Sequence, residues 1–174
     1  QPWTADYADY KKILDDNQIC QKVNNGQINE LWLFGGPWFG FYEANMAGPG
    51  GFSTNGPVIE NTSCNKPLHI MGFSYERAVS EMVHDLGHRI EGTMATFLAN
   101  QTWYSFNSAQ MCGNIHYPPN TLNAYTYNGL ASVNSGCDNW FSYPNLGSNN
   151  KNFNCTVWGC SDLGFYKWWM QHLS

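Results

Sequence analysis

Six cysteines, Cys20, Cys64, Cys112, Cys137, Cys155 and Cys160, are scattered along 174 residues and constrain the fold of this chain more than any other feature. Their number is even, and none stands in the C-x-x-C spacing of a zinc ribbon or a thioredoxin-type site, so disulfides are the expected state. Disulfides persist in oxidising compartments, which makes a secreted, extracellular protein the expectation. Three Asn-x-Ser/Thr tripeptides, at Asn61, Asn100 and Asn154, suit that compartment as glycan acceptors. There is no basic, apolar leader and no apolar run of about 18 residues, so no membrane association is expected.

A chain of 174 residues that is 43% hydrophobic can bury a sizeable core, so one globular domain over 1–174 is expected, as a monomer. Only 12% of residues are charged, with 8 Lys and Arg against 13 Asp and Glu. That balance offers no basic stripe to neutralise phosphates and excludes nucleic acid as a partner class. Aromatics reach 16%, including 8 Trp and 10 Tyr. Most are expected in the core, but a Trp/Tyr-rich surface of low charge also suits stacking on sugar rings.

Patterning along the chain predicts an α+β or α/β fold with a small sheet, one long amphipathic helix and extensive loops. A first helix is read over 4–23, capped by Thr4, with Tyr7, Tyr10, Ile13, Leu14, Ile19 and Val23 apolar and "NNG" as its stop. "ELWLF" reads as a short strand halted by Gly35, Gly36 and Pro37, and "PLHIMGF" as a second. Between them runs the Gly-rich loop "GGPWFGFYEANMAGPGGFSTNGP", whose Trp38, Phe39 and Tyr42 are candidates for the wall of a substrate groove. A helix from about Tyr75 to Phe97 follows, then an irregular Asn/Ser/Tyr-rich segment and a short helix behind Ser161. If the two strands are parallel, the loops beyond their C-terminal ends carry Glu43 and Glu76 at the edge where open sheets bind ligands.

The long helix contains "HDLGH". On a helical projection Val79, Met82, Val83, Leu86, Ile90, Met94 and Phe97 share one broad face, the pattern of a helix docked on a core. Arg77, Glu81, His84, His88 and Glu91 lie opposite, with Asp85 at one flank. "HDLGH" resembles the HExxH helix of zincin metallopeptidases, in which two histidines one turn apart hold Zn²⁺ and the intervening carboxylate acts as general base. The resemblance covers five residues. It implies zinc, with His84 and His88 as ligands and Asp85 as the base, one methylene shorter than the family's glutamate. Glu91 and Met94 stand where the metzincin extension would have Gly and His, so the third ligand must come from elsewhere. Glu91 and Glu81 are candidates there and as proton-handling groups, and His116 in "CGNIHYPPN" is the better one, because a loop can carry an imidazole across the helix.

Two functional classes follow. One is a secreted zinc hydrolase acting on a peptide or amide, with Asp85, Glu81 or Glu91 moving the proton. The other is a carbohydrate-active domain without a catalytic metal, using a carboxylate pair from Glu43, Glu76, Glu81 and Glu91 or exposed aromatic rings. In the first, the helix's polar side must be covered by the "CGNIHYPPN" region, since an uncovered histidine pair would be a solvated surface. His69 and His172 are expected to be structural.

Overall fold

A computed structural model describes residues 7–37, 39–98, 112–121, 123–142 and 149–172. They form a mixed α+β fold that divides into two compact units, one of Gln1–Ala78 with His88–Thr93, the other of Val79–Gly87 with Met94–Ser174. The long helix contributes to both.

In the first unit, α1 (Tyr10–Asp16) and α2 (Ile19–Asn24) replace the single helix read over 4–23. Thr4 lies outside the described residues, and Asp9 is the cap, its carboxylate accepting from the Lys12 amide at 2.9 Å. The break falls at Gln18, whose φ of 53° is left-handed. On a continuous helix Ile19 would point about 140° away from Leu14. The turn lets Tyr10 and Leu14 of α1 join Ile19, Cys20 and Val23 of α2 in one core, which Cys64 enters through its disulfide to Cys20.

That core rests on a three-stranded sheet of β1 (Glu30–Gly35), β2 (Ala44–Ala47) and β3 (Leu68–Ser74), in the order β1-β3-β2. The two expected strands are parallel, from Glu30 opposite His69 to Gly35 opposite Ser74. The sheet is nevertheless mixed, because β2, within the segment read as loop, pairs antiparallel with β3. Central β3 is covered on both faces and is apolar almost throughout. Edge strand β1 alternates, with Leu31 and Leu33 toward the helices and Trp32 and Phe34 on the other face beside Phe73.

Helix α3 (Val79–Phe97) starts four residues later than the apolar pattern suggested, after a turn through Tyr75–Ala78. Its orientation corrects the sequence reading. Val79 is 64% exposed and Phe97 72%, while Met82, Val83, Leu86, Ile90 and Met94 are only half-buried. Apart from Gly87, the buried positions are polar: His84 and Asp85 are each 3% exposed and His88 9%. Two glycines permit this. A Cβ on Gly87 would lie 2.3 Å from Ile115 Cδ1 in the second unit, and one on Gly92 would lie 2.7 Å from Thr54 Cα in the first. Gly is costly within a helix by about 1 kcal/mol relative to Ala, and here it admits neighbouring chain that a side chain would hold off.

The second unit is built on aromatic packing and two disulfides, Cys112–Cys137 and Cys155–Cys160. A two-stranded ribbon of β4 (Val133–Ser135) and β5 (Lys151–Phe153) precedes α4 (Asp162–Gln171), the expected C-terminal helix, capped by the Ser161 hydroxyl. Tyr127, Trp158, Phe165, Tyr166 and Trp169 are buried, and the Trp158 indole donates to the Tyr127 carbonyl at 2.7 Å. Every cysteine of the chain is disulfide-bonded, and no helix among the described residues is long and apolar enough to cross a membrane.

Candidate metal centre

Helix α3 carries His84 and His88 one turn apart, and both side chains are buried. In the second unit the "CGNIHYPPN" segment forms a tight hairpin closed by reciprocal hydrogen bonds between Asn114 and Tyr117, 2.9 and 3.1 Å. It is tethered at one end by the Cys112–Cys137 disulfide. At its tip the Asn114 carboxamide oxygen accepts the His116 amide at 2.9 Å, and the Tyr125 amide donates to the His116 carbonyl at 2.6 Å.

The hairpin covers this part of the helix. Ile115 abuts Gly87, and the His116 ring lies 5.2 Å from that of His84, centroid to centroid. The nearest ring nitrogens of His84 and His116 fall within 4.8 Å. Tyr125 and Tyr166 complete the surround of His84, with ring centroids at 6.1 and 5.4 Å. Glu81 and Asp85, one turn apart on the same helix, bring carboxylate oxygens within 4.8 Å of each other. Burial raises the Tyr166 phenol pKa, and Asp85 is among the negative groups that raise it further.

In the first unit His88 lies between two carboxylates. Its Nε2 is 3.2 Å from Glu43 Oε2 and its Nδ1 is 3.2 Å from Glu91 Oε2. Burial disfavours the charged imidazole, but the Glu91 hydrogen bond and the charges of Glu43 and Glu91 outweigh it and raise the pKa above the ordinary histidine value. Glu43 immediately precedes β2 and is held by Asn55, whose side-chain amide donates to Glu43 Oε2 at 2.8 Å and whose carboxamide oxygen accepts the Glu43 backbone N–H at 3.3 Å. Arg89 turns the other way, to Glu30 at 2.5 Å.

The remaining candidates are more dispersed. Phe39 is exposed, Tyr42 is half-buried and stacked on Tyr7 at 4.7 Å, and Glu76 is exposed in the turn after β3. Trp38 and the sequon at Asn100 lie outside the described residues. His69 sits on β3 near Phe52, and burial lowers its pKa. His172 is fixed by the Trp168 carbonyl at 2.6 Å and by Asp138 at 3.2 Å. It also lies within ligand distance of Cys112 and Cys137, but those sulfurs are joined to each other and are not thiolates. Asn55, Gly87, Gly92 and Tyr125 escape a sequence reading, since each matters through a neighbour distant in the chain.

Comparisons with protein-family models, with curated proteins and with solved structures return no match.

Proposed function

We propose that this chain is a secreted, metal-dependent hydrolase of the peptidase or amidase type, with zinc held by His84, His88 and His116. The observation that carries this reading is the inverted burial of α3. The helix withdraws His84, Asp85 and His88 from water while leaving Val79 and Phe97 exposed. Burying such groups is unfavourable unless they are paired, and imidazoles and carboxylates gathered out of water are a donor set that suits a cation. Three neutral imidazoles are a donor set suited to catalytic zinc. Glu91 at His88 Nδ1 repeats the carboxylate support that orients metal-bound histidines.

Bound zinc polarises a carbonyl and acidifies water. Asp85, with Glu81 beside it, is the group to accept and return the proton, and the buried Tyr166 beside His84 limits the access of bulk water. The three disulfides support secretion.

The test is elemental analysis of untagged protein purified without added metal. Stoichiometric zinc is expected in the wild type, with loss of both zinc and peptide hydrolysis in His88→Ala and His116→Ala at unchanged circular dichroism. Wild-type protein that holds no metal, even after exposure to zinc, rejects the reading and leaves the carboxylate-based carbohydrate reading to be tried on oligosaccharides.

A further inference from the structure

We propose that Glu43 is itself a metal ligand, coordinating through the oxygen that faces His88, and that Glu91 is the positioning residue that fixes the His88 ring. The inference rests on the metal reading above and puts Glu43 in place of one of its histidines other than His88, so that three protein ligands leave the fourth position to water.

Zinc bonds nitrogen and carboxylate oxygen at about 2.0–2.1 Å in tetrahedral geometry, which sets neighbouring donor atoms about 3.3 Å apart. His88 Nε2 and Glu43 Oε2 are 3.2 Å apart. That separation suits adjacent zinc ligands as well as it suits a hydrogen bond like the equal contact with Glu91.

A neutral imidazole carries one N–H and one lone pair. If Nδ1–H donates to Glu91, the lone pair on Nε2 faces the lone pairs of a carboxylate, an arrangement that repels unless a cation is shared between them. A second proton on the ring would also satisfy the contact, and the experiment separates that case from a metal.

Asn55 holds Glu43 at both its side-chain oxygen and its backbone N–H. Asn55 is in turn placed by its own amide, which donates to the Ala44 carbonyl at 3.2 Å, and the Thr54 hydroxyl donates to that same carbonyl at 2.7 Å. The Glu43 carbonyl accepts the Gly72 amide of β3 at 3.3 Å. A carboxylate clasped this way loses little freedom on binding a cation. A carboxylate among imidazoles is also the donor composition of His₂Glu hydrolytic zinc sites.

Zn²⁺ affinity by competition with a chelator and the visible spectrum of the Co²⁺-loaded protein are to be measured for wild type, Glu43→Gln, Glu91→Gln and, as an exposed control, Glu76→Gln. For Glu91→Gln we expect affinity to fall about 10–100-fold with Co²⁺ bands in place, the response to losing support behind a ligand. For Glu43→Gln we expect a loss greater than about 100-fold, beyond that range, together with displaced Co²⁺ bands. Wild-type affinity and bands in Glu43→Gln overturn this proposal and leave the hydrolase reading standing. A wild type that binds neither ion rejects both. Should Glu43→Gln not fold, Glu43→Asp is read instead: displaced bands support ligation and unmoved bands overturn it.

Discussion

The phenol of Tyr127 is buried and donates to the Ile115 carbonyl at 2.9 Å, with His116 O also in reach at 3.2 Å, while it accepts from the Tyr166 hydroxyl at 3.1 Å. One oxygen therefore anchors the hairpin that carries His116. Tyr127→Phe keeps the ring packing on Phe165 but leaves the Ile115 carbonyl and the Tyr166 hydroxyl without this partner. A buried polar group stripped of its partner costs about 1–3 kcal/mol. We expect urea unfolding to register a loss of that size and, on the zinc reading proposed above, a lower zinc affinity because His116 would be held less firmly. Unchanged stability would show that the hairpin is held by its disulfide and backbone bonds alone.

At the scale of the element, α3 is the decisive piece, and its glycines determine how closely other chain can approach. Replacing an interior helical Gly by Ala ordinarily gains up to about 1 kcal/mol. At Gly92 the new Cβ would meet Thr54 Cα, a backbone atom whose segment is bonded to Ala44. Relief requires moving that segment, which also carries Asn55. We therefore expect Gly92→Ala to lower the melting temperature, at a net cost of about 1–3 kcal/mol, as for other overpacked sites. A raised melting temperature would show that the 53–57 segment yields freely and does not position Glu43.

Across the whole molecule, buried phenols make the fold sensitive to base. Burial pushes the Tyr10 pKa up to about 12, and burial likewise raises Tyr127 and Tyr166. A buried tyrosine is favoured in its neutral form, so its contribution to stability is complete below the unfolded value of about 10 and is lost as pH rises through the folded one. We expect cooperative alkaline unfolding that begins above about pH 10, preceded by little change in stability between neutrality and that point from these groups. Tyr10→Phe should move the onset upward, because it removes an ionisation that the first unit's core resists. Monitoring phenolate absorbance beside far-ultraviolet circular dichroism checks this: tyrosines that all ionise near their ordinary value before any unfolding would refute it.

What the sequence determined by itself are properties carried by neighbouring residues or by chemical identity. Alternation in "ELWLF" and the apolar run "PLHIMGF" specify β1 and β3, because side-chain direction along a strand is a local consequence of the backbone. Six cysteines without a ligand spacing specify disulfides, and four-residue spacing aligns His84 with His88 on one side of a helix. The tertiary structure alone decided which side of α3 is buried. Helical periodicity separates polar from apolar faces but does not say which face another segment covers, and here Ile115 and Thr54 come from segments whose approach depends on Gly87 and Gly92. The same holds for β2, which needs β3 as a partner before its residues have reason to be extended. It holds too for the break at Gln18, where two short helices share a core that one continuous helix could not reach. Glu43, read from the sequence as a loop carboxylate near a substrate, is placed against His88 by long-range strand pairing and by the Asn55 clasp, for which no sequence spacing is a signal.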